Sequence, residues 1–529
     1  MQLAVEHHRA GRLREAEGIY RQVLAVQPKQ AYALHLLGLI AGQVGRTDES
    51  ERLIREAIAA EPGNPAFYCD LGMLQQQWGR FDLAIAFFRQ AIAVKPDFAG
   101  AHYNLGNAFK ELGRIDEAIV CFQSAVALDG NLFEAHNNLG AVLSAKGQFE
   151  LAIACYERAM KLKPDSAGIY YNLGNAYRRA RRFDEAIASF RKSLALNPGL
   201  VEAHSNLGAA LNESGQTEQA IAACREALVL KPDSAEVFNN LGNALKDAGK
   251  MQEAIDAYRK AIELNPKMAE AHNNLGNTFY NLGDFEQAKE SWQRAIEVNP
   301  NFAQAQFHLG LDLLALGDFE NGFPKYDWRW KISHVMEACP FSAPIWNGED
   351  IAGKRIVIWG EQGLGDVIFF SRYVPMVSQR VSQQSGARVI LCCAQELIRL
   401  LEPLKAWAEL TTERPEASQF DLYCPIAKLP SIFKTTLATI PAATPYLHAE
   451  KEMAAKWRDR LPHDRPNVGL VWAGQPKNTR DRYRSILLDQ FAPLAAAGAV
   501  RWISLQKGAA ADQARTPRRG WSCWIGRMS

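Results

Sequence analysis

The dipeptide Leu-Gly recurs every 34 residues, and this period constrains the fold more than any other feature of the sequence. Nine copies follow one another, from Leu37-Gly38 to Leu309-Gly310, with no change of spacing. An internal period of about 20 to 50 residues is typical of stacked supersecondary units, none of which buries its apolar face alone. The sequence therefore predicts a solenoid of repeated units.

Other positions keep the same register and indicate two amphipathic helices in each unit. A second glycine, an alanine, an aromatic ring and a closing proline follow the Leu-Gly pair, and Arg181 interrupts the glycine series once. We interpret the first glycine and the alanine as points of close helix approach, and the second glycine as the turn. The proline ends the second helix, and the ring fills the space between helix pairs. The ring positions are Phe88, Phe122, Tyr156, Phe190, Tyr258 and Trp292.

This pattern resembles the tetratricopeptide repeat (TPR) at every signature position, with eight full copies over residues 31–302. Residues 1–30 resemble a first repeat that has lost most of its first helix, so we expect the true start of the protein to lie upstream. Residues 303–353 are expected to hold a degenerate repeat and a connector. The predicted fold of this half is an α-solenoid, a superhelix whose first helices line a concave groove.

Asparagine stands two residues before the repeat glycine in six successive units, at Asn104, Asn138, Asn172, Asn206, Asn240 and Asn274. Asn costs several tenths of a kcal/mol relative to Ala in a helix, by rough host scales. A row of carboxamides offers donors and acceptors to an extended peptide backbone. The repeats of the protein O-linked N-acetylglucosamine transferases look similar, including this row, and the resemblance implies a groove that binds unfolded polypeptide. The alternative is that these side chains bond between neighbouring repeats or are copies left by duplication.

Histidine and cysteine offer no metal site in this sequence. His102, His136, His204 and His272 occur one per repeat, too far apart to share an ion at bond lengths of ~2 Å. The nine cysteines are scattered without zinc-ligand spacing. We therefore expect no metal and no cofactor.

Strands and helices alternate in the second half of the chain, which predicts a parallel α/β sheet. RIVIW, ARVILCC and FDLYCP are predicted strands, and DVIFFSRYVPMV and QELIRLLEPL are predicted helices between them. Farther on, NVGLVWAG and RWISLQ are predicted strands that flank a helix at LLDQFAPLAAAG. We expect one α/β domain over residues 354–450 and the start of a second over residues 466–510.

The stretch WGEQGLGDVIFF joins the first of these strands to its helix. Its GxxGxG spacing matches neither a Walker A loop nor the GxGxxG of dinucleotide sites. It resembles the acceptor-side, Rossmann-like domain of two-domain (GT-B) glycosyltransferases of the heptosyltransferase type, in which a Gly-Asp pair opens the first helix. The resemblance implies Asp366 as a candidate general base, with Gly363 and Gly365 beside the substrate. The alternative is that Asp366 only caps the helix.

The segment VGLVWAGQPKNTRDRYRSILLDQF is similar to the start of the nucleotide-sugar domain in bacterial proteins that fuse such repeats to a transferase. The resemblance implies that basic residues face the donor diphosphate, namely Lys477, Arg480, Arg482 and Arg484, with Arg484-Ser485 the closest match. The alternative is a solvated basic loop. The family's Asp-Thr pair and His-Leu-Ala-Gly helix are missing, and residues 511–529 look like an aberrant tail. We therefore expect an incomplete second half, truncated by a frameshift or an early stop.

The bulk properties limit the partners. A net charge of +2 over 529 residues does not indicate nucleic acid or an anionic membrane. No apolar run approaches the ~18 residues of a membrane span, and the N-terminus lacks a secretion signal, so we expect a cytoplasmic protein. The sequence favours a scaffold that binds extended peptide or protein partners and carries an incomplete glycosyltransferase-like module. The alternative is an active protein O-glycosyltransferase with a nucleotide-sugar donor.

Overall fold

The structure is a computed structural model. It describes residues 1–332, 341–361, 363–381, 387–442, 446–461, 464–471, 473, 487–488, 490–491 and 500–506. The chain divides into two compact units. The first unit holds Met1–Leu316 and the short segment that begins at Trp328, and the second holds Gly317–Asp327 and the later residues.

The first unit is a stack of helix pairs, as the 34-residue period predicts. After a short opening pair, each helix has 13 or 14 residues. The helices are α1 (Gln2–Arg9), α2 (Leu13–Val26), α3 (Ala31–Gln43), α4 (Thr47–Ala60), α5 (Pro65–Gln77), α6 (Phe81–Val94), α7 (Ala99–Glu111), α8 (Ile115–Leu128), α9 (Phe133–Ala145), α10 (Phe149–Leu162), α11 (Ala167–Arg179), α12 (Phe183–Leu196), α13 (Val201–Glu213), α14 (Thr217–Leu230), α15 (Ala235–Asp247), α16 (Met251–Leu264), α17 (Ala269–Leu282), α18 (Phe285–Val298) and α19 (Ala303–Ala315).

The turn inside each pair requires a left-handed backbone. The second glycines from Gly45 to Gly283 have φ between 70° and 84°. Arg181, which interrupts the glycine series, keeps the same conformation with φ 61°. The turn geometry is therefore imposed by the packed helices, and Arg181 carries a steric cost that glycine avoids.

In six pairs the first glycine is covered by the ring on the second helix of the same pair, at Gly72, Gly106, Gly140, Gly174, Gly242 and Gly276. A Cβ built on Gly106 would lie 2.7 Å from Cε1 of Phe122, and one on Gly242 would lie 2.5 Å from Cε1 of Tyr258. Because such distances are far inside van der Waals contact, any side chain there would displace the ring. The ring that we expected between helix pairs thus makes its closest approach within its own pair.

The first helices form the inner side of the stack. Successive first helices, such as α5 and α7 or α13 and α15, contact one another directly. Successive second helices make sparser contacts, so the stack curves toward the first helices. The surface that the asparagine row occupies is therefore the concave one.

The repeat pattern weakens at both ends. The opening helix α1 has only eight residues. At the other end, α20 (Phe319–Tyr326) belongs to the second unit, has eight residues and contains Pro324. Proline removes one helical N–H and crowds the preceding turn, which fits the divergence of the sequence from the repeat pattern after residue 318.

The second unit contains the predicted parallel sheet. Four parallel strands, β1 (Arg355–Trp359), β2 (Arg388–Cys392), β3 (Glu409–Thr411) and β4 (Leu422–Pro425), stand in the order β3-β2-β1-β4. Two further strands, β5 (Asn467–Leu470) and β6 (Arg501–Ser504), pair in parallel as a separate sheet. The helices are α21 (Leu364–Phe370), α22 (Val374–Val381), α23 (Gln395–Ile398), α24 (Leu429–Ile432) and α25 (Lys451–Arg460).

Three details of this unit differ from the sequence prediction. The helix predicted at QELIRLLEPL extends only over α23 (Gln395–Ile398), and a 3-10 turn at Glu402–Ala406 follows it. The helix predicted from Asp366 to Val377 is broken into α21 and α22 by a short 3-10 turn at Ser371–Tyr373. Pro375 explains the break, because it has no N–H to bond the carbonyl one turn earlier. The short edge strand β3 was not predicted. The helix predicted at LLDQFAPLAAAG and the tail 511–529 lie almost wholly outside the described residues.

The helices of the described ranges are all too short or too polar to cross a bilayer.

We expect Arg181→Gly to stabilise the first unit by about 0.5–1 kcal/mol, because glycine adopts the left-handed turn without the steric cost. Urea denaturation followed by circular dichroism measures the change. Gly215→Arg, at the equivalent turn of the next repeat, is the matched control and is expected to destabilise by a similar amount. A loss of stability in Arg181→Gly would contradict this account of the turn.

Candidate functional site

A continuous series of side-chain hydrogen bonds joins neighbouring repeats along the concave surface. We call it the inter-repeat ladder. Each bond links the residue two before the repeat glycine to the residue three before the glycine of the preceding repeat, with donor–acceptor distances from 2.8 to 3.4 Å. The eight pairs are His35–Asp70, Cys69–Asn104, Tyr103–Asn138, Asn137–Asn172, Tyr171–Asn206, Ser205–Asn240, Asn239–Asn274 and Asn273–His308.

All six predicted asparagines belong to this ladder, and each donates its Nδ2 to the preceding repeat. Two of them donate a second bond. Asn138 also donates to Oδ1 of Asn107 at 2.8 Å, and Asn206 donates to Oδ1 of Asn175 at 2.9 Å. The inter-repeat bonding that the sequence left as an alternative is therefore present, and it uses the nitrogen end of each carboxamide.

In four of the six asparagines the oxygen end of the carboxamide is left for another partner. Oδ1 of Asn138 accepts from Nδ2 of Asn137 at 3.3 Å, and Oδ1 of Asn274 accepts from Nδ2 of Asn273 at 3.5 Å. Within residues 1–332, no side chain or backbone group donates to Oδ1 of Asn104, Asn172, Asn206 or Asn240, and none of these oxygens is among the fully buried unpaired atoms. The six side chains are half-buried. A half-buried amide with its donor fixed and its acceptor accessible presents a row of carbonyl groups to the groove.

Cavities of about 660, 520 and 410 Å³ open along the first unit. The largest of these three is lined by Phe149, Asn172, Asn175 and Asn206 among others. Another, of about 410 Å³, lies two repeats earlier, and Phe81, Asn104 and Asn107 line it. These residues hold the same register positions in both cavities, so the cavities belong to the repeat geometry.

The charges that face the groove are balanced. Lys110, Arg178 and Lys246 recur every 68 residues on the first helices. Each lies near a carboxylate: Glu111 at 3.6 Å, Glu213 at 3.8 Å and Asp247 at 3.7 Å. Exposed pairs of this kind contribute little to stability, and they leave the groove without a strong net charge, which suits recognition of a neutral backbone.

The recurring histidines have a structural role. The Nε2 atoms of His102, His136, His204 and His272 lie 2.9 to 3.2 Å from the backbone carbonyl six residues earlier. Each bond ties a first helix to the end of the preceding repeat. In the described ranges, no group of His, Cys, Asp and Glu has a geometry that could hold a metal ion.

The buried cysteines also pack as core residues. Burial raises the pKa of Cys121 to about 11 and that of Cys224 to about 12. Cys224 takes the place of the ring, because a Cβ built on Gly208 would lie 2.6 Å from its Sγ. Such thiols stay protonated at neutral pH and are poor nucleophiles.

In the second unit, Gly363 ends the loop between β1 and α21, and Asp366 lies in the first turn of α21. Gly363 is the N-cap residue and Asp366 the third residue of the helix. Asp366 is exposed, and its carboxylate makes no hydrogen bond within the described residues. The contacts of Asp366 therefore do not distinguish a general base from a helix cap. Gly365 is exposed, with open space around a Cβ built on it.

The loop before α21 lies at the carboxyl ends of β1 and β4. Oε2 of Glu361 accepts from the backbone N–H of Ile426 at 2.9 Å, so the loops that follow the two strands are joined. At the other end of these strands, Arg355 donates to Asp421 at 2.8 Å and lowers the pKa of that carboxyl to about 2. In the sheet, β2 lies on one side of β1 and β4 lies on the other, so the strand order reverses at β1. Ligands of open α/β sheets bind at the carboxyl ends of the strands where the order reverses.

The residues predicted to face a donor diphosphate, Lys477, Arg480, Arg482, Arg484 and Ser485, lie outside the described residues.

Models of the repeat family match most of the first unit. Models described as TPR repeat or tetratricopeptide repeat match residues 77–113, 106–147, 143–180, 210–249, 242–283, 167–200, 269–302, 1–67 and 189–222. Together these matches cover more than half of the chain.

Several known proteins are similar over the repeats. Protein FlbA of Caulobacter vibrioides is 26% identical over 206 residues, which cover 35% of this chain and 34% of FlbA, so the chain spans about a third of that relative. YrrB, a solved TPR protein with an unusual peptide-binding site, is 27% identical over 35% of this chain and 95% of YrrB, with a TM-score of 0.28. Yeast Tom70 is 13% identical over 64% of this chain and 92% of Tom70, with a TM-score of 0.38.

We expect Tyr171→Phe and Asn206→Ala to be energetically coupled by about 0.5–1.5 kcal/mol in a double-mutant cycle, because each removes one side of a ladder bond. Urea denaturation of the two single variants and the double variant measures the coupling. The matched control is the cycle of Tyr103→Phe with Asn206→Ala, two residues that belong to different ladder bonds, for which no coupling is expected. Equal coupling in the two cycles would contradict the ladder.

Proposed function

Because the repeat region of this chain belongs to the tetratricopeptide-repeat family, we propose that the protein is a scaffold whose concave groove binds an extended segment of another protein. The segment lies along the first helices, and its backbone N–H groups donate to the carbonyl oxygens of the asparagine row. The expected partner is unfolded or extended polypeptide.

One observation carries this proposal. Six successive repeats keep asparagine on the donor side of the ladder, while the acceptor opposite it changes among cysteine, tyrosine, asparagine and serine. A bond between repeats alone would tolerate equal variation on both sides. In four of these repeats the other end of the asparagine side chain is a carbonyl that accepts from no group of the first unit, at Asn104, Asn172, Asn206 and Asn240.

The chemistry of the groove suits a backbone more than a particular sequence. Carbonyl groups accept from any peptide N–H, and the paired charges of the groove add no strong preference for an acidic or a basic ligand. The cavities beside the asparagines leave room for side chains that the backbone contacts do not select. A groove of this kind binds peptides of many sequences, and its affinity depends only weakly on the salt concentration.

The first test uses a fluorescein-labelled pool of random-sequence peptides of about 20 residues, which spans roughly 70 Å when extended. We expect the variant with Asn104, Asn172, Asn206 and Asn240 all changed to Ala to raise Kd at least about tenfold, or 1.4 kcal/mol. Fluorescence anisotropy measures Kd, and circular dichroism confirms that the variant is folded.

The matched control removes the ladder acceptors and keeps the asparagines. Tyr103→Phe, Tyr171→Phe and Ser205→Ala together break three ladder bonds, and the triple variant is expected to bind within about twofold of the unmodified protein. If the control loses as much affinity as the asparagine variant, the asparagines act only through stability and the proposal is wrong. The absence of binding to the unmodified protein would also refute it.

A second candidate function is glycosyl transfer from a nucleotide sugar to a polypeptide held in the groove. The observation that favours it is the loop Gly360–Gly363, which precedes an exposed carboxylate at the switch point of a parallel sheet. There Asp366 would take the proton of an acceptor hydroxyl. By the resemblance given above, Lys477, Arg484 and Ser485 would face the donor diphosphate of a GT-B site, with Gly363 and Gly365 beside the substrate.

The test of this candidate is turnover of a panel of uridine, guanosine and adenosine diphosphate sugars with a serine-rich peptide. If the protein transfers sugar, we expect Asp366→Asn to lower the rate at least 100-fold, in line with general-base contributions of about 10² or more. Glu402→Gln, at an exposed carboxylate of the same unit, is the matched control and should leave the rate unchanged. No turnover with any donor would exclude this candidate and leave the scaffold.

A further inference from the structure

A third cavity, of about 520 Å³, lies at the last repeat of the first unit. We call it the Asp312 pocket. Gly283 and Phe285 line it, and they hold the register positions that Gly147 and Phe149 hold in the largest cavity, four repeats earlier. The Asp312 pocket is thus the same kind of groove cavity with different chemistry.

Asp312 is an unusual residue for its position. The residue two after the repeat glycine is Ala108, Val142, Ala176, Ala210, Ala244 and Thr278 in the preceding repeats. Asp312 is 3% exposed, and its Oδ2 atom is fully buried with no hydrogen-bond partner among the described residues. A buried carboxylate without a partner destabilises the fold that contains it. The chain thus retains a costly group where alanine would pack.

The surrounding charges compensate Asp312 only in part. Asp284 and Glu286 also line the pocket, and Lys289 is its basic residue. Lys289 makes no ion pair with Asp312 within 4 Å in the described residues. Burial raises the pKa of Asp312, whereas Lys289 acts in the opposite direction and Glu286 adds to the rise. The pocket therefore holds three carboxylates and one ammonium group, and Lys289, although it acts on Asp312, is not within ion-pair distance of it.

The apolar wall of the pocket is open to solvent. Leu282 is 52% exposed, Phe285 is 50% exposed and Leu316 is 65% exposed. A long basic side chain packs its methylene stem on apolar surface, and its charged end pairs with a carboxylate. The pocket offers both, because large apolar side chains lie beside a buried carboxylate.

We propose that the Asp312 pocket binds a lysine or arginine side chain of the polypeptide in the groove. The inference rests on the proposed function, which supplies the polypeptide, and adds a preference for one kind of side chain at one end of the groove. The ammonium or guanidinium group pairs with Asp312, and Leu282, Phe285 and Leu316 cover the stem. The largest cavity does not share this preference, because Arg178 and Arg179 line it.

The experiment compares two fluorescein-labelled peptides of serine and threonine that carry, at every fourth position, lysine in one and norleucine in the other. Norleucine keeps the methylene stem and removes the charge. We expect the unmodified protein to bind the lysine peptide at least about tenfold more tightly than the norleucine peptide. In Asp312→Asn, the ratio of the two Kd values should fall to about one.

A second variant tests whether misfolding, and not the lost charge, removes the preference for lysine. Asp312→Ala introduces the residue that other repeats carry at this position, so it is expected to fold, to lose the preference for lysine and to melt at a temperature no lower than that of the unmodified protein. Glu290→Gln, an exposed carboxylate on α18 that does not line the pocket, is the control and should keep the preference.

The outcomes separate the two proposals. If both peptides bind with equal affinity, or if Asp312→Asn and Asp312→Ala keep the lysine preference, the Asp312 pocket is not a basic-side-chain site, whereas the scaffold function stands. If neither peptide binds, the scaffold function fails and this inference fails with it. An arginine peptide, compared with its citrulline equivalent, shows which basic side chain fits better.

Discussion

The first unit depends on a hydrogen bond that is repeated from one repeat to the next. Each bond of the inter-repeat ladder joins only two neighbours, so the repeats are held in register without any long-range contact. The bond also fixes the orientation of the asparagine side chain. Because the nitrogen faces the preceding repeat, the oxygen faces the groove, as at Asn172 and Asn206. One side chain thus joins two repeats and at the same time presents its carbonyl to the groove.

Much of the first unit could be predicted because its signals are local and repeated. The left-handed turn at Arg181 follows from the glycines at the same position of the other repeats. The orientation of Asn206 could not be predicted in this way. A carboxamide has a donor and an acceptor at equal reach, and only the stacking of helices places Tyr171 beside the nitrogen. The close packing of Phe122 on Gly106 likewise depends on the geometry of the pair.

The second unit shows where sequence signals become weaker. The apolar run RIVIW matches β1 residue for residue, because a charged residue and a glycine bound it. The three-residue strand β3 lies at the edge of the sheet and is only partly buried, so it carries no clear period. Asp312 was missed for a different reason. Its departure from alanine is visible when the repeats are aligned, but its meaning depends on burial beside exposed Leu282 and Phe285.

The hydrogen bonds along the groove also differ from one repeat to the next. Tyr103 and Asn107 both accept from Asn138, and two repeats later Tyr171 and Asn175 accept in the same way from Asn206. In the repeat between them, alanine stands at the position of Asn107 and Asn175, at Ala141. A polypeptide bound as proposed would therefore meet an amide at Asn107, a methyl group at Ala141 and an amide again at Asn175. Over these repeats its surroundings would have a period of two repeats, and Asn243 and Asn277, which stand in successive repeats, end that alternation.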